Sequence, residues 1–288
     1  MQVTPLADVK HRPRRVAVGE FDGVHLGHRE VISGSDTVLT FEPHPAVVVH
    51  PERAPKLLTS LAVKADLVAT LGVQELVVIP FDQGFAHQSP QEFIDHVLVE
   101  RLGATHVSVG DNFHFGFRAS GDVSLLRADP RFETRVVSLV EANGETISSS
   151  RIRSLIAAGD VRAAARILGA EFRIRGPVVG GDKRGRELGF PTANIVPDPA
   201  LIKPADGVYA CRAGDHAAAV NVGVRPTFGN DLTPLIEAYL IDFTGDLYGQ
   251  ELTLEFVARL RGELAFDNVE DLVAQMRVDV ENTRKLVS

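Results

Sequence analysis

GEFDGVHLGH, residues 19–28, follows the apolar run Val16–Val18 and opens the first helical stretch of the chain. Gly19, Gly23 and Gly27 let a backbone turn sharply and approach a ligand closely. A helix N-terminus presents unpaired N–H groups and the positive end of its dipole, which suits phosphate. His25 and His28, three residues apart at that terminus, can donate hydrogen bonds to phosphate oxygens as charge builds on them. Taken alone, two such histidines could equally be a metal pair or polar residues of a turn. The strand–turn–helix setting favours the phosphate reading.

Working outward, short apolar runs at 16–18, 38–41, 76–80, 105–109 and 134–140 read as strands. Several are apolar without alternation, as in a parallel sheet covered on both faces. Helical stretches lie between them. Ser89-Pro90-Gln91-Glu92 places a capping box around a proline at the first helical position, with Gly103 closing that helix. Leu61–Leu71 ends in the same way at Gly72. This alternation predicts a doubly wound, Rossmann-like α/β domain. After Gly169 the rhythm changes to strand-like segments broken by Gly, Pro and Asp turns. Residues 251–256 (ELTLEF) alternate as a half-buried strand should, and the spacing suggests an antiparallel barrel or sandwich. A last helix is expected with a cap signature at Asp267 and Glu270 and an apolar face of Val269, Leu272, Val273, Met276 and Val280. The boundary is placed near Ala170–Arg173, giving domains 1–170 and 171–288.

Bulk properties narrow the partners. The 288 residues carry 44% apolar and 24% charged residues, ordinary values for globular domains. A net charge of −8 argues against nucleic acid or an anionic membrane as partner, although a small phosphate site needs only local donors. The single cysteine, Cys211, excludes an internal disulfide and fits a reducing compartment. Residues 1–12 lack an apolar leader core, and no apolar run approaches the ~20 residues of a membrane span. The expected location is cytoplasmic.

The 19–28 motif resembles the nucleotidyltransferase signature of the prokaryotic bifunctional riboflavin kinase/FMN adenylyltransferase family. Residues 40–45 (TFEPHP) are similar to the family's second motif and residues 110–116 (GDNFHFG) to its third, with Asn112 where Asp is more usual. Residues 148–153 (SSSRIR) resemble its fourth, with Ser150 in place of Thr. The resemblance implies that Gly19, Phe21, Gly23, Gly27, Ser148, Ser149 and Ser150 bind ATP. It also implies that His25, His28 and Arg153 act on its phosphates, and that Asn112, Phe113 and Phe115 hold flavin. The FMN phosphate would attack the α-phosphorus of ATP with loss of pyrophosphate, and Mg²⁺ would bridge phosphate oxygens. Only Arg29–Thr37 separate the first motif from the second strand, fewer residues than the family usually has there. Counted from Gly19, loop and helix still supply the roughly dozen residues of a parallel crossover, so a truncated first helix is expected.

In the second half, residues 176–194 (GPVVGGDKRGRELGFPTAN) contain no Walker A pattern. Gly180, Gly181 and Gly185 around Lys183 and Arg184 make a basic, Gly-rich loop that could fold over phosphates or be an ordinary exposed turn. Thr192 and Asn194, two apart on an extended strand, share one face and could jointly hold Mg²⁺ and phosphate. GFPTAN resembles the riboflavin kinase signature, and residues 204–209 (PADGVY), 221–229 (NVGVRPTFG) and 237–249 (EAYLIDFTGDLYG) match that family further. The resemblance implies a six-stranded barrel with a terminal helix. It makes Glu237 the catalytic carboxylate, assigns Gly181, Lys183 and Gly185 to ATP, and places Arg261 and Phe266 beside the flavin. Together the halves imply phosphorylation of riboflavin to FMN and adenylylation of FMN to FAD. A riboflavin kinase with an inactive N-terminal domain and a non-catalytic flavin-binding protein are the alternatives. Glu237, Thr192 and Asn194 speak against the receptor, which has no need of a base and a metal site.

Overall fold

The computed structural model describes residues 1–138, 140–142, 145–180, 188–226 and 232–287. The chain divides into two compact units, Met1–Pro55 with Leu61–Ser148, and Lys56–Ser60 with Ser149–Ser288.

The first unit is an α/β layer structure. Its strands and helices run β1 (Gln2–Pro5), β2 (Arg14–Val18), α1 (Leu26–Ile32), β3 (Thr37–Glu42), α2 (Pro45–Val49), α3 (Leu61–Ala69), β4 (Glu75–Pro80), α4 (Gln83–Ala86), α5 (Pro90–Glu92), β5 (Ala104–Gly110), α6 (Val123–Ala128) and β6 (Glu133–Val137). A small antiparallel pair, β7 (Glu141–Ala142) and β8 (Glu145–Thr146), follows. The six strands pair in the order β1-β4-β3-β2-β5-β6, every neighbour parallel. Apolar runs without alternation arise because both faces are covered. Val16, Val18, Leu39, Val77, Val107 and Val109 pack with Phe93, Ile94, Val97 and Leu98 on one side. Ala17, Val38 and Leu76 pack with Val31 and Ile32 of α1 and Val63, Leu67 and Val68 of α3 on the other. The edge strand β1 lacks a sequence signal, since four residues of which only Thr4 is buried, ending in Pro5, read as loop.

The expected boundary chemistry is present. Ser89 and Glu92 form both bonds of a capping box with Pro90 in the first turn, and the helix continues as a wider π-helical stretch over Phe93–Arg101. It closes at Gly103, where an added Cβ would lie 2.5 Å from the Arg12 carbonyl oxygen. The crossover from β2 to β3 uses the seven-residue α1, which Ser108 of β5 ties down by donating to the Val31 carbonyl at 2.7 Å. At the opposite end of the sheet the buried Arg14 donates to Glu75 Oε2 from Nε (3.2 Å) and Nη2 (3.0 Å) and to the Leu102 carbonyl from Nη1 (2.8 Å). Burial pushes the Glu75 carboxyl upward, but the hydrogen bonds from Arg14 and the charges of Arg14 and Arg12 outweigh it and hold the group below the usual range.

The second unit begins with α7 (Ser149–Ala157) and α8 (Val161–Leu168), then β9 (Phe172–Val179), β10 (Ala193–Ile195), β11 (Gly207–Ala213), β12 (His216–Pro226), β13 (Leu232–Leu240), β14 (Glu251–Arg261) and α9 (Val269–Val287). The strands close into an antiparallel barrel in the order β10-β13-β12-β11-β14-β9. Helix α8 packs on β14 and β9, and α9 on β11, β12 and β14. Strand β11 is therefore buried on both faces save at Arg212, and burial pushes the Cys211 thiol well up. By packing, α7 and α8 group with the barrel, whereas the sequence boundary near Ala170–Arg173 falls after them.

Helix α9 departs from expectation in two respects. Its cap is Asn268, whose Oδ1 accepts from the Asp271 N–H at 2.8 Å, rather than Asp267 with Glu270. Of the expected apolar face, Leu272, Val273, Met276 and Val280 are half-buried, but Val269 is 54% exposed; the buried positions are Asp279, Thr283 and Val287. The cause is an ion pair. Arg261, at the end of β14, donates to Asp279 from Nε (3.2 and 3.1 Å) and Nη2 (2.8 Å), and Gln275 Nε2 donates to the same carboxylate at 3.0 Å. Removing one partner strands the other charge. Asp279→Ala should therefore cost roughly 3 kcal/mol of barrel stability, and the paired change Arg261→Met with Asp279→Leu should recover most of it. Denaturant midpoints of the native chain and these two variants check this; equal losses in the single and paired variants would refute the anchor.

Candidate active sites

Strand β2 lies between β3 and β5, and the chain winds away from it on both sides, so the carboxyl ends of β2 and β5 form the switch point where open α/β sheets bind ligands. Residues 19–28 leave the end of β2 and residues 110–116 the end of β5. The first loop turns left-handed at Phe21 (φ 50°), Gly23 (φ 87°) and Val24 (φ 44°). Strain of this kind persists only where surroundings over-determine it. Phe21 and Val24 are held by complete burial in the core. Of the three glycines, Gly23 alone supplies the turn. Gly19 and Gly27 supply room: a Cβ on Gly19 would lie 3.1 Å from the Phe21 ring, and one on Gly27 would lie 3.2 Å from His25 Cε1.

The two histidines come together. Their rings stack at 3.5 Å between centroids with 19° between planes, and the Phe21 ring meets His28 edge-on at 5.4 Å. His25, 5% exposed, caps α1: its Nδ1 accepts from the His28 N–H at 3.2 Å. That bond places the His25 proton on Nε2, making it a donor. After β5, Phe113 is half-buried and stacks on Phe115 (5.5 Å, 17°), which is itself buried against Phe93; Asn112 is exposed. The aromatic row extends to Phe81 and Phe85, both half-buried and unsignalled by any motif. Ser148 closes the first unit. Ser149, Ser150 and Arg153 belong to the second, where Arg153 Nε donates to the Lys56 carbonyl at 2.7 Å.

A charged group that sequence reading missed lies behind the motif loop. Lys64 of α3 is buried and donates to Thr40 Oγ1 at 3.2 Å; Thr40 Oγ1 donates to the Glu20 carbonyl oxygen at 3.1 Å. The pair ties β3 and α3 to the residue preceding the left-handed turn. Burial raises the Glu20 carboxyl to about 8, with Lys64 opposing and Asp22 and Glu42 adding to the rise. Its Oε1 is enclosed with no hydrogen-bond partner, so at neutral pH this side chain is held as the neutral acid.

On the barrel, Ile236, Ala238 and Leu240 of β13 point inward and are buried, so Glu237 faces outward. Asn194 of β10 is its register partner, and Thr192 lies just before the first residue of β10. Of the hydroxyl, amide and carboxylate expected to act together, register brings the amide and carboxylate to one face, with the hydroxyl at the entry to β10. All three are hard oxygen donors with a single carboxylate, a set that fits Mg²⁺ shared with substrate phosphates and waters. Among the described residues, no cluster of three or more His, Cys, Asp or Glu could hold a metal on its own. Gly181, Lys183 and Gly185 lie outside the described residues. Arg261 is engaged by Asp279, with its guanidinium carbon 6.0 Å from the Phe266 ring centroid.

A switch-point loop with paired histidines and a closed barrel carrying a carboxylate and amide face define a two-domain nucleotide-dependent transferase. Residues 8–151 match the FAD synthetase family and residues 168–287 the riboflavin kinase family. The bifunctional riboflavin kinase/FMN adenylyltransferases of Listeria monocytogenes (40% identity, 93% of this chain and 91% of the relative), Pseudomonas fluorescens (36%, 97% and 94%) and Escherichia coli K12 (34%, 94% and 91%) are similar over nearly their whole lengths. This chain belongs to the bifunctional riboflavin kinase/FMN adenylyltransferase family. A crystal structure from Streptococcus pneumoniae described as a macrolide-efflux protein superposes with a TM-score of 0.87 at 31% identity, covering 99% of both chains. Among the described residues of the present chain no helix is long and apolar enough to cross a membrane.

The Glu20 carboxyl has a direct consequence for stability. Because its folded-state value is raised from 4.5 to about 8, the unfolded chain binds fewer protons across that window, and folding weakens as pH rises through it. Glu20→Gln lacks this linkage. The Tm of the variant relative to the native chain should climb between pH 4.5 and about 8 and level off above, as followed by calorimetry; a flat difference would place Glu20 in water.

Proposed function

We propose that this chain makes FAD from riboflavin in two ATP-dependent steps, the barrel phosphorylating riboflavin to FMN and the α/β unit adenylylating FMN. The observation that supports the reading is the direct register pairing of Asn194 with Glu237, which sets an amide beside the carboxylate proposed as the base. In the first step the riboflavin 5′-oxygen forms a bond to the γ-phosphorus of ATP, ADP leaves, and the hydroxyl proton passes to Glu237. Thr192 and Asn194 would hold Mg²⁺, which supplies charge neutralisation of the phosphates. In the second step an FMN phosphate oxygen attacks the α-phosphorus of ATP and pyrophosphate leaves. The nucleophile is already an anion, so the loop contributes position and charge stabilisation rather than a base. His25 Nε2–H and His28 donate to the phosphate oxygens, and Arg153 neutralises charge on the leaving group. Asn112, Phe113 and Phe115 form the flavin side, Phe115 acting from the core by supporting the Phe113 ring. The net charge of −8 and one buried cysteine support a reducing, cytoplasmic setting without nucleic-acid or membrane partners.

The short α1 does not weaken this reading of the α/β unit. A helix terminus acts through its first turn, and the loop that precedes α1 is held by Thr40 and by the core, to which the short α1 still contributes Val31 and Ile32. Full-length protein given riboflavin and excess Mg-ATP should accumulate FAD with FMN as a transient, read by chromatography over time. Persistent FMN without FAD from folded protein would leave a kinase with an inactive first domain. Glu237→Ala should lower FMN formation roughly 10²–10⁴-fold while FAD formation from supplied FMN is retained. His28→Ala should do the reverse, losing about 10²-fold in FAD formation alone.

A further inference from the structure

Glu237 has a second register partner. Strand β13 pairs with β10 on one side and β12 on the other, and Asn221 of β12 stands opposite Glu237 as Asn194 does on β10. Directly opposed residues of antiparallel strands share a face, with Cβ atoms roughly 5 Å apart. The row therefore reads amide, carboxylate, amide across three strands. It ends there: the next partners outward are Val179 on β9 and Val208 on β11. Neighbours of Asn221 on β12, Val220 and Val222, are fully buried on the inner face, so Asn221 is outward and half-buried beside the carboxylate. Gly223, next on that outer face, keeps the lane clear; a Cβ there would meet Glu263 Oε1 at 3.3 Å and Asn221 Nδ2 at 3.8 Å.

We propose that Asn221 is a positioning residue for the kinase, its amide N–H orienting the Glu237 carboxylate while Asn194 serves the metal and phosphates. The proposal rests on the reading of Glu237 as the base. A carboxylate has two oxygens, and one must stay available to the riboflavin hydroxyl. A donor on the other oxygen holds the group in its productive rotamer. A neutral amide suits this role better than Lys or Arg, whose charge would make the carboxylate a weaker proton acceptor.

The test measures riboflavin phosphorylation by full-length variants, with FMN adenylylation and Tm as folding controls. Asn221→Asp keeps the shape and removes the N–H donor; Asn221→Leu removes all polarity; Asn221→Ser keeps a shorter donor. Aspartate and leucine should each lower kcat about tenfold with KM for riboflavin and ATP little changed, and serine should recover to within roughly threefold of the native chain. Combined with Glu237→Ala, Asn221→Leu should cost nothing further, since the group it positions is gone. If Glu237→Ala is itself nearly native, the base assignment falls and this proposal with it. If Glu237→Ala is crippled while Asn221→Asp phosphorylates at the native rate, Asn221 merely fills space and the proposal alone is overturned. Should Asn221→Leu fail to fold, the isosteric aspartate variant carries the decision.

Discussion

Strand β2 is hydrogen-bonded on both edges to parallel neighbours, β3 and β5, and much else in the α/β unit follows from that pairing. A strand so placed cannot pass its chain directly to either neighbour; both connections must cross a face of the sheet. The carboxyl ends of β2 and β5 are left side by side with their connections diverging, and the two loops that carry the flavin-nucleotide motifs rise from that point. The buried Arg14–Glu75 pair and the Arg14 bond to the Leu102 carbonyl pin the other end of the sheet. At the end where the loops rise, the left-handed Phe21 and Val24 are held by their burial in the core.

The barrel solves a different problem. Closure removes strand edges and commits alternate residues to the interior, so polar side chains such as Glu237 stand on the outer face. Helices α8 and α9 cover part of that face, while the row Asn194, Glu237 and Asn221 crosses another part of the wall. Arg261 belongs to the covered part. Its ion pair with Asp279 makes the buried stripe of α9 polar, an arrangement that specifies one seating for the helix.

Charge in the α/β unit is arranged with similar economy. The buried Glu20 carboxyl feels the buried Lys64 and two further carboxyls, Asp22 and Glu42, beside the loop that follows β2. Burial keeps Glu20 neutral and so lowers the negative charge near that loop at physiological pH. Lys64 is retained through Thr40, which converts a buried cation into a fixed backbone position at Glu20.

The sequence by itself determined the features that depend on neighbours a few residues away. Apolar runs located β2 through β6, Ser89 with Glu92 marked a helix start, and the glycines of residues 19–28 announced a tight loop between β2 and α1. Backbone geometry and capping are local, so composition within one or two turns is enough. Tertiary structure decided what is set by long-range hydrogen bonding and packing. That Asp279 rather than Val269 is the buried residue of α9 depended on Arg261 standing opposite it. Phe115 is buried and Phe113 only half so, a difference invisible in a motif that contains both. Lys64 reads as an ordinary helix residue until Thr40 is placed beside it. Asn221 gained its place beside Glu237 only from strand register, because a slip of one residue would have turned it into the barrel interior.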